Sequence, residues 1–155
     1  MREMRRTDRQ LTREEAMEIL VKGEYGILST VDGNGQPYGV PLSYVVKDDC
    51  IYYHCTDAGG SKQDNIQNNS KVSFTVVGNT QVLPEKFGTL YESAIAFGEA
   101  TVVSDEEEKL TALRDVIKKY CAGYLAEGEK YIAASGPKTM IVKIAIREVT
   151  GKRRA

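Results

Sequence analysis

The sequence predicts a mainly β protein, an antiparallel β-barrel with peripheral α-helices, in a single domain over residues 1–155. Five or six stretches rich in alternating apolar and β-branched residues are separated by short turn segments, as in antiparallel sheets. Helical segments are inserted between groups of strands and do not alternate with them, which disfavours a parallel βαβ fold. The 155 residues have the length of one ordinary domain and contain no internal repeat or linker.

The first element is predicted to be a short helix over residues 12–22. Thr12 followed by Glu15 forms a capping-box signal. Apolar residues behind it recur at helical spacing, and Gly23 ends the pattern. The chain therefore enters the barrel through an amphipathic helix.

After this helix, apolar residues alternate with other residues at a period of two, which predicts β-strands. The predicted strands cover residues 25–31, 37–46, 50–55, 71–77, 91–103 and 138–149. Asp32-Gly33-Asn34-Gly35 joins the first two strands, and its glycines tolerate the positive φ of a tight hairpin turn. Lys47-Asp48-Asp49 turns the chain into the third strand. These three strands are predicted to form an antiparallel meander.

Two further helices are predicted from their N-terminal signals. Ser61, with Asp64 three residues on, indicates a helix of one to two turns that ends near Asn68. The acidic run 104–108 suits the positive end of a helix dipole. Behind it, residues assigned to one buried face are Leu110, Leu113, Ile117, Tyr120, Cys121 and Tyr124. The segments left over are predicted to be loops (residues 78–90 and 134–137) and a frayed basic tail (residues 151–154).

Composition excludes several classes of protein. Hydrophobic residues make up 41% of the chain and charged residues 28%, as in folded globular proteins. The formal net charge of −1 argues against nucleic-acid binding through bulk charge. No stretch approaches the roughly 20 apolar residues that span a bilayer, and the charged N-terminus lacks the apolar core of a secretory signal. We therefore expect no nucleic-acid or membrane partner.

The cysteines and the single histidine limit the metal and thiol chemistry that is open to the chain. Cys50, Cys55 and Cys121 are odd in number and include no CxxC pair, which fits a reducing cytoplasm. A zinc site would need all three thiols and His54 to converge, and their spacing fits no closed zinc pattern, so no metal site is expected. A cysteine nucleophile would lack a second histidine to activate it, and buried hydrophobic roles for Cys50 and Cys55 are favoured.

Functional residue types are densest over residues 53–65, YHCTDAGGSKQDN. A strand ends in a polar pair, a glycine loop follows, and a helix begins with Ser61 and Lys62. Free backbone N–H groups at a helix N-terminus, beside a hydroxyl and an ammonium, form an anion site, and glycines allow close approach. A GxxxxGK[ST] loop is absent, so phosphate transfer is not indicated. The simpler interpretation is a capped short helix with a solvent-facing lysine.

His54 is the residue of this segment best suited to proton chemistry near neutral pH. As a functional residue it would lie at the rim of a site beside a bound cofactor or a substrate. Alternatively, it is a hydrogen-bonded strand histidine with no catalytic role. By strand periodicity His54 shares a face with Tyr52, while Ile51, Tyr53 and Cys55 point the other way.

Five segments together resemble a known family, the FMN-binding split-barrel proteins of the pyridoxamine 5′-phosphate oxidase-like group. In chain order they read RRTDRQLT, YGILSTVDGNGQPYGVPLSYV, CIYYHCTDAGGSKQDNIQNNSKVSF, YESAIAFGEATVV and VTGKRR. The chain is most similar to the 5-nitroimidazole-resistance (Nim) branch of that group. The resemblance covers roughly residues 4–153, and its most specific parts are the YGxLS…PYxVPLSY pair and the YHC…GxKxDNI segment.

The resemblance implies a six-stranded antiparallel split β-barrel that forms a homodimer, with FMN bound at the dimer interface. It assigns the FMN phosphate to Ser61 and Lys62. It places the remaining candidate residues along the ribityl chain and the isoalloxazine ring: Ser29, Pro41, Leu42, Ser43, His54 and Cys55. In the Nim branch the histidine matching His54 lies next to the flavin and is implicated in activity, so His54 is the candidate catalytic residue.

The function implied is an FMN-dependent oxidoreductase that reduces a small organic acceptor such as a nitroaromatic. Two alternatives stay open, a non-catalytic flavin- or haem-binding module and a deazaflavin-dependent reductase of the same fold. Oxidation of pyridoxamine phosphate itself is disfavoured, because the C-terminal strand lacks the longer Trp- and Arg-containing tail and the chain has no Trp. The chain also departs from the group by having Ser61 where a second basic residue often precedes the lysine, so another basic residue is expected to contribute.

Overall fold

One seven-stranded antiparallel sheet forms the body of the molecule, with strand order β2-β1-β5-β6-β7-β4-β3. The computed structural model describes residues 3–155. The strands are β1 (Gly26–Val31), β2 (Pro37–Leu42), β3 (Val45–Lys47), β4 (Cys50–Thr56), β5 (Lys71–Leu83), β6 (Gly88–Val102) and β7 (Thr139–Arg154). The α-helices are α1 (Arg13–Lys22), α2 (Ser61–Asn68), α3 (Glu106–Tyr120) and α4 (Leu125–Ser135). A mainly β fold with peripheral helices is confirmed.

The two edge strands of the sheet are neighbours in the chain, but they do not pair with each other. β2 pairs with β1, β3 pairs with β4, and only Ser43 and Tyr44 separate β2 from β3. The predicted strand over residues 37–46 is therefore two strands that belong to opposite edges of the sheet, which gives seven strands where six were expected. Because the chain must leave one ladder and join another at this point, a single continuous strand cannot form. The predicted three-strand meander is interrupted at the same place.

The capping box of α1 and the tight turn between β1 and β2 both form as the sequence predicts. The backbone N–H of Glu15 donates to Oγ1 of Thr12 (3.2 Å) and the N–H of Thr12 donates to Oε2 of Glu15 (2.8 Å), a complete capping box. In the β1–β2 turn, Oδ1 of Asp32 accepts from two backbone N–H groups at 2.8 Å, and Gly35 has a φ of +83°. This hairpin fixes the register in which Ser29 lies opposite Gly39.

Two segments predicted as a loop and a frayed tail are strands. β5 and β6 extend through most of the predicted loop, with a register irregularity between Gly78 and Gln81 and a short 3-10 turn at Pro84–Lys86. At the C-terminus β7 continues to Arg154, which pairs with Tyr91 of β6. The basic tail was misassigned because its side chains carry no apolar alternation, while the backbone ladder that orders it comes from the long neighbouring strand.

The helix α4 has no sequence signal of the kind that marks the other helices. Its preceding residue, Tyr124, makes no side-chain cap and is 67% exposed, so the prediction that Tyr124 belongs to the core is wrong. Gly128 lies inside the helix and lowers its intrinsic propensity. A Cβ at Gly128 would collide with Ile117 of α3, so the glycine allows the two helices to approach closely.

The core has two parts, which lie on the two faces of the sheet. The barrel interior holds the larger cluster, including Tyr44, Tyr53, Cys55 and Phe74. A smaller cluster, built around Tyr52 and Ala112, joins the outer face of β4 to α3. Among residues 3–155, no helix is long and apolar enough to cross a membrane.

Candidate functional site

The loop between β4 and α2 presents a row of backbone N–H groups without acceptors. Gly59 and Gly60 have φ values of +87° and +150°, a conformation that favours glycine. Gly60 precedes α2 without a side-chain cap. Within the described chain, the N–H groups of residues 59–62 donate to no protein acceptor, whereas those of Gln63 and Asp64 both donate to the carbonyl of Gly60. This loop has the geometry of an anion site.

Two buried amide side chains fix α2 against the barrel. Nε2 of Gln63 donates to the carbonyl of Thr56 at 2.7 Å, which ties the helix to the end of β4. Nδ2 of Asn65 donates to Oγ1 of Thr30 at 2.9 Å, which ties it to β1. Because both amide residues are buried and their contacts are on different strands, the start of α2 is held in one position. Neither amide is among the site residues predicted from the sequence.

Ser61 and Lys62 both lie in the first turn of α2, as the anion-site interpretation requires. Ser61 is exposed and Lys62 is half-buried. Cys55 lies inside the barrel beneath this turn, where burial raises the pKa of its thiol and the nearby Lys62 partly opposes that rise. The thiol is therefore a protonated core group, in agreement with the interpretation of Cys55 as a buried hydrophobe.

His54 lies on the outer face of β4, opposite in direction to Cys55. The predicted division of faces is confirmed, since Ile51, Tyr53 and Cys55 belong to the barrel core while Tyr52 packs towards α3. His54 is exposed and lines a cavity of about 410 Å³ together with Ala134 and Ser135 from the end of α4 and Lys138 from the 3-10 turn that follows it. Cys55 also lines this cavity, but its side chain is buried in the barrel core, so the two residues present their side chains to opposite faces of β4.

Pro41, Leu42 and Ser43 lie where the sheet divides. Pro41 and Leu42 pair with β1, and the β3–β4 ladder begins only at Val45, opposite Tyr52. If that ladder continued, Ser43 would face His54, but the chain turns towards β1 instead. The segment Pro41–Ser43 and the end of β4 at His54 therefore flank the opening between the edges of the sheet.

Ser29 belongs to the outer face of β1 and lies one strand away from this opening. Its neighbours in the sheet are Gly39 on one side and Ser73 on the other. Because Gly39 has no side chain, Ser29 and Ile27 are left partly accessible. A flat ligand could approach the sheet at this place.

The donor set fits a phosphate-bearing cofactor. Four backbone N–H groups, a hydroxyl and a lysine lie within residues 59–62, and a Cβ at Gly60 would lie 3.0 Å from Oε1 of Gln63. That Oε1 is buried and accepts no hydrogen bond in residues 3–155, so it is free to accept one from a ligand hydroxyl. No group of three His, Cys, Asp or Glu side chains in the described part of the chain is placed to hold a metal ion.

Lys138 supplies a basic side chain close to the loop, where an additional basic residue was expected without a position. Its carbonyl accepts from the N–H of Asp57 at 3.2 Å, and its side chain lines the cavity next to His54. Nearly eighty residues separate Lys138 from Lys62, so no local motif could have linked them. Only the antiparallel pairing of β4 with β7, in which Thr56 lies opposite Thr139, brings them to the same end of the barrel.

The family model for pyridoxamine 5′-phosphate oxidase matches residues 12–153. The chain belongs to this family. The match includes every candidate site residue, so the resemblance stated from the sequence motifs is confirmed at the family level. No curated protein matches the chain at a significant level.

Several solved structures share the fold of this pyridoxamine 5′-phosphate oxidase-like chain. A proposed 5-nitroimidazole antibiotic resistance protein from Bacteroides thetaiotaomicron is 23% identical, with a TM-score of 0.78 over 92% of this chain and 85% of that one. An FAD-binding protein from Mesorhizobium loti is 22% identical, with a TM-score of 0.68 over 95% and 98%. A flavocytochrome from Azotobacter vinelandii is 20% identical, with a TM-score of 0.81 over 99% and 72%. At these identities the likeness establishes the split-barrel fold.

Proposed function

We propose that this protein binds FMN and is an oxidoreductase that reduces a small organic acceptor. The observation that carries the proposal is the row of unpaired N–H groups at residues 59–62 beside Lys62. Such a row, at the end of a strand and the start of a helix, suits a dianionic phosphate. Family membership and the flavin-binding neighbours support a flavin as the carrier of that phosphate.

In this proposal the loop binds the phosphate and the opening between the sheet edges receives the ring. The N–H groups of residues 59–62 and the hydroxyl of Ser61 donate to phosphate oxygens, while Lys62 neutralises charge. Lys138 is the additional basic residue on the neighbouring side of the loop. Pro41 to Ser43, with Ser29, line the path of the ring through backbone and small side-chain atoms. Bound FMN supplies electron transfer between a donor and the acceptor.

His54 is proposed to deliver a proton to the acceptor rather than to bind the phosphate. Its side chain is exposed on the outer face of β4, in a cavity that is open to small molecules. Reduction of a nitro group or a similar acceptor consumes protons, and an imidazole can hold and deliver a proton at neutral pH. The neighbouring Lys138 favours an acceptor that carries negative charge.

A homodimer is proposed to complete the ring site. Ile95 and Phe97 project from the outer face of β6 and are only half-buried, and they line a groove of about 920 Å³. Val77 on the neighbouring strand is 55% exposed and Phe87 at the β5–β6 turn is 99% exposed. Exposed apolar side chains grouped on one sheet face mark a protein interface. Cofactor sites occur preferentially at such interfaces.

The visible spectrum of the purified protein tests the proposal. We expect flavin absorption as purified, or stoichiometric uptake of added FMN. We also expect reduction of a nitroaromatic acceptor by NAD(P)H, or by protein that has been reduced with dithionite and freed of excess reductant. Colourless protein that fails to take up FMN would contradict flavin binding. Uptake of FMN without reduction of any acceptor would identify a non-catalytic module. Preferential retention of a fluorescent deazaflavin in a mixture would assign that coenzyme instead.

We also propose the cytoplasm as the compartment of this protein. Its three free cysteines are consistent with a reducing environment.

A further inference from the structure

The junction between β2 and β3 leaves a buried peptide that neither strand can pair. Tyr44 is fully buried and lies between the last residue of β2 and the first residue of β3. Its backbone N–H and carbonyl belong to the two peptide groups on either side of its Cα, and neither of them is part of a strand ladder. These two backbone groups are together called the Tyr44 peptide. A buried peptide group without a partner is costly, so partners from elsewhere are needed.

The last turn of α3 provides those partners through two adjacent side chains. The hydroxyl of Tyr120 accepts from the N–H of Tyr44 at 3.0 Å and donates to the carbonyl of Glu24 at 2.7 Å. The ammonium of Lys119 donates to the carbonyl of Tyr44 at 3.0 Å. Because a phenol has a single proton, these assignments satisfy all of the groups together. Both polar groups of the Tyr44 peptide are thus held by one helix end.

The ring of Tyr44 is fixed by the same helix end and by the barrel. The ammonium of Lys119 lies 4.0 Å from the centre of the Tyr44 ring, a cation–π contact. On the inner side the ring meets Phe74 edge to face, with 4.7 Å between centroids, and its hydroxyl donates to the carbonyl of Leu20. Tyr44 is therefore fixed at its peptide, its ring and its hydroxyl.

We infer that Lys119 and Tyr120 are positioning residues for the ring-binding segment Pro41–Ser43. The inference rests on the proposed function, because that segment is the part of the flavin site that directly precedes Tyr44. Pro41 and Leu42 are held by β1, so Ser43 is the one residue between two anchored points. Loosening the Tyr44 peptide would release the end of the segment that α3 controls. The bound flavin would then lie in a less defined environment.

The test replaces the Tyr120 hydroxyl and compares FMN affinity and flavin spectrum with the wild type. Tyr120→Phe keeps the ring and removes the acceptor of the Tyr44 N–H, so we expect FMN to bind about tenfold more weakly, as loss of one hydrogen bond implies. We also expect the vibronic shoulders of the bound-flavin band to broaden, a readout that reports on the surroundings of the ring. Lys119→Met should produce the same spectral change, while Lys119→Arg should retain the wild-type spectrum because it keeps a cationic donor.

Two controls separate positioning from general loss of stability. Tyr124→Phe removes an exposed hydroxyl just beyond α3 and should leave both readouts unchanged. Asp105→Ala removes the side-chain cap that accepts from the Glu108 N–H at the other end of α3, and it should lower stability without altering the flavin spectrum. Wild-type affinity and spectrum in a folded Tyr120→Phe protein would overturn the inference, as would the same spectral change in Asp105→Ala. Failure of the wild type to bind FMN would instead overturn the proposed function on which the inference rests.

Discussion

The start of α2 and the end of α3 treat backbone polar groups in opposite ways. At α2, four successive N–H groups at residues 59–62 donate to no acceptor within residues 3–155. At α3, the side chains of Lys119 and Tyr120 provide hydrogen-bond partners for the backbone N–H and carbonyl of Tyr44. One helix end leaves donors open, and the other supplies partners to a peptide that lacks them.

The difference separates binding from positioning. Open donors on a helix that is fixed by Gln63 and Asn65 cost little in water, because solvent can occupy them until an anion does. The Tyr44 peptide is buried, so water cannot substitute and the fold must provide partners. A ligand should therefore depend on α2 for affinity and on α3 for the shape of its surroundings.

The largest expected effect is on FMN affinity when the charge at α2 is removed. Lys62→Ala deletes a charge-assisted contact of about 1.5–3 kcal/mol. We expect the dissociation constant for FMN to rise roughly 10- to 100-fold, measured by quenching of flavin fluorescence in low salt. Lys130→Ala, at an exposed position on α4, is the matched control and should bind as the wild type does. An unchanged constant in Lys62→Ala would show that the phosphate lies elsewhere.

The next effect is on stability, through the amide that holds α2 to β1. Asn65→Ala leaves the buried hydroxyl of Thr30 without its donor, at a cost of about 1–3 kcal/mol in the free energy of unfolding. Urea unfolding should show a lower midpoint with an unchanged slope. Asn68→Ala, exposed at the end of the same helix, should change the midpoint little. Equal midpoints for the two variants would contradict a structural role for the Asn65 contact.

The loop that precedes α2 was predicted from the sequence, whereas the contacts at the end of α3 were missed for a physical reason. Glycines, Ser61 and Lys62 are contiguous, so the anion loop is visible as a motif and the family resemblance covers it. The contact between Tyr120 and Tyr44 spans 76 positions, and a tyrosine at helical spacing is ordinarily assigned to the core. The strand break at Ser43 was missed for a related reason, since alternation continues through it and only the passage of the chain from one edge of the sheet to the other interrupts the pairing.

A smaller effect is expected from the glycine that shapes the α2 loop. Gly60→Ala places a Cβ in a positive-φ residue 3.0 Å from Oε1 of Gln63, which costs about 1–2 kcal/mol of stability. FMN affinity should fall as well, because the strained loop misaligns its N–H groups. Gly33→Ala in the β1–β2 turn is the control, since nothing lies within 4 Å of a Cβ there and its φ is not positive. Equal stability and FMN affinity in the two variants would remove the argument that the Gly60 backbone is specialised.

The smallest effect is a pH dependence of stability that originates at the α3 end. Burial lowers the pKa of Lys119 from 10.5 to about 8, although the cation–π contact with Tyr44 opposes the shift. Between about pH 8 and pH 10 the unfolded chain keeps this proton while the folded chain releases it, so raising the pH favours folding. Urea unfolding from about pH 7 to pH 9.5 should therefore show the wild type gaining stability relative to Lys119→Met as the pH rises. Ending the series at pH 9.5 limits the contribution of the tyrosines, whose ordinary pKa is 10.0 and is raised further by burial at Tyr44. A difference that stays constant with pH would mean that Lys119 keeps its charge in the fold, held by the Tyr44 carbonyl and ring more strongly than burial disfavours it.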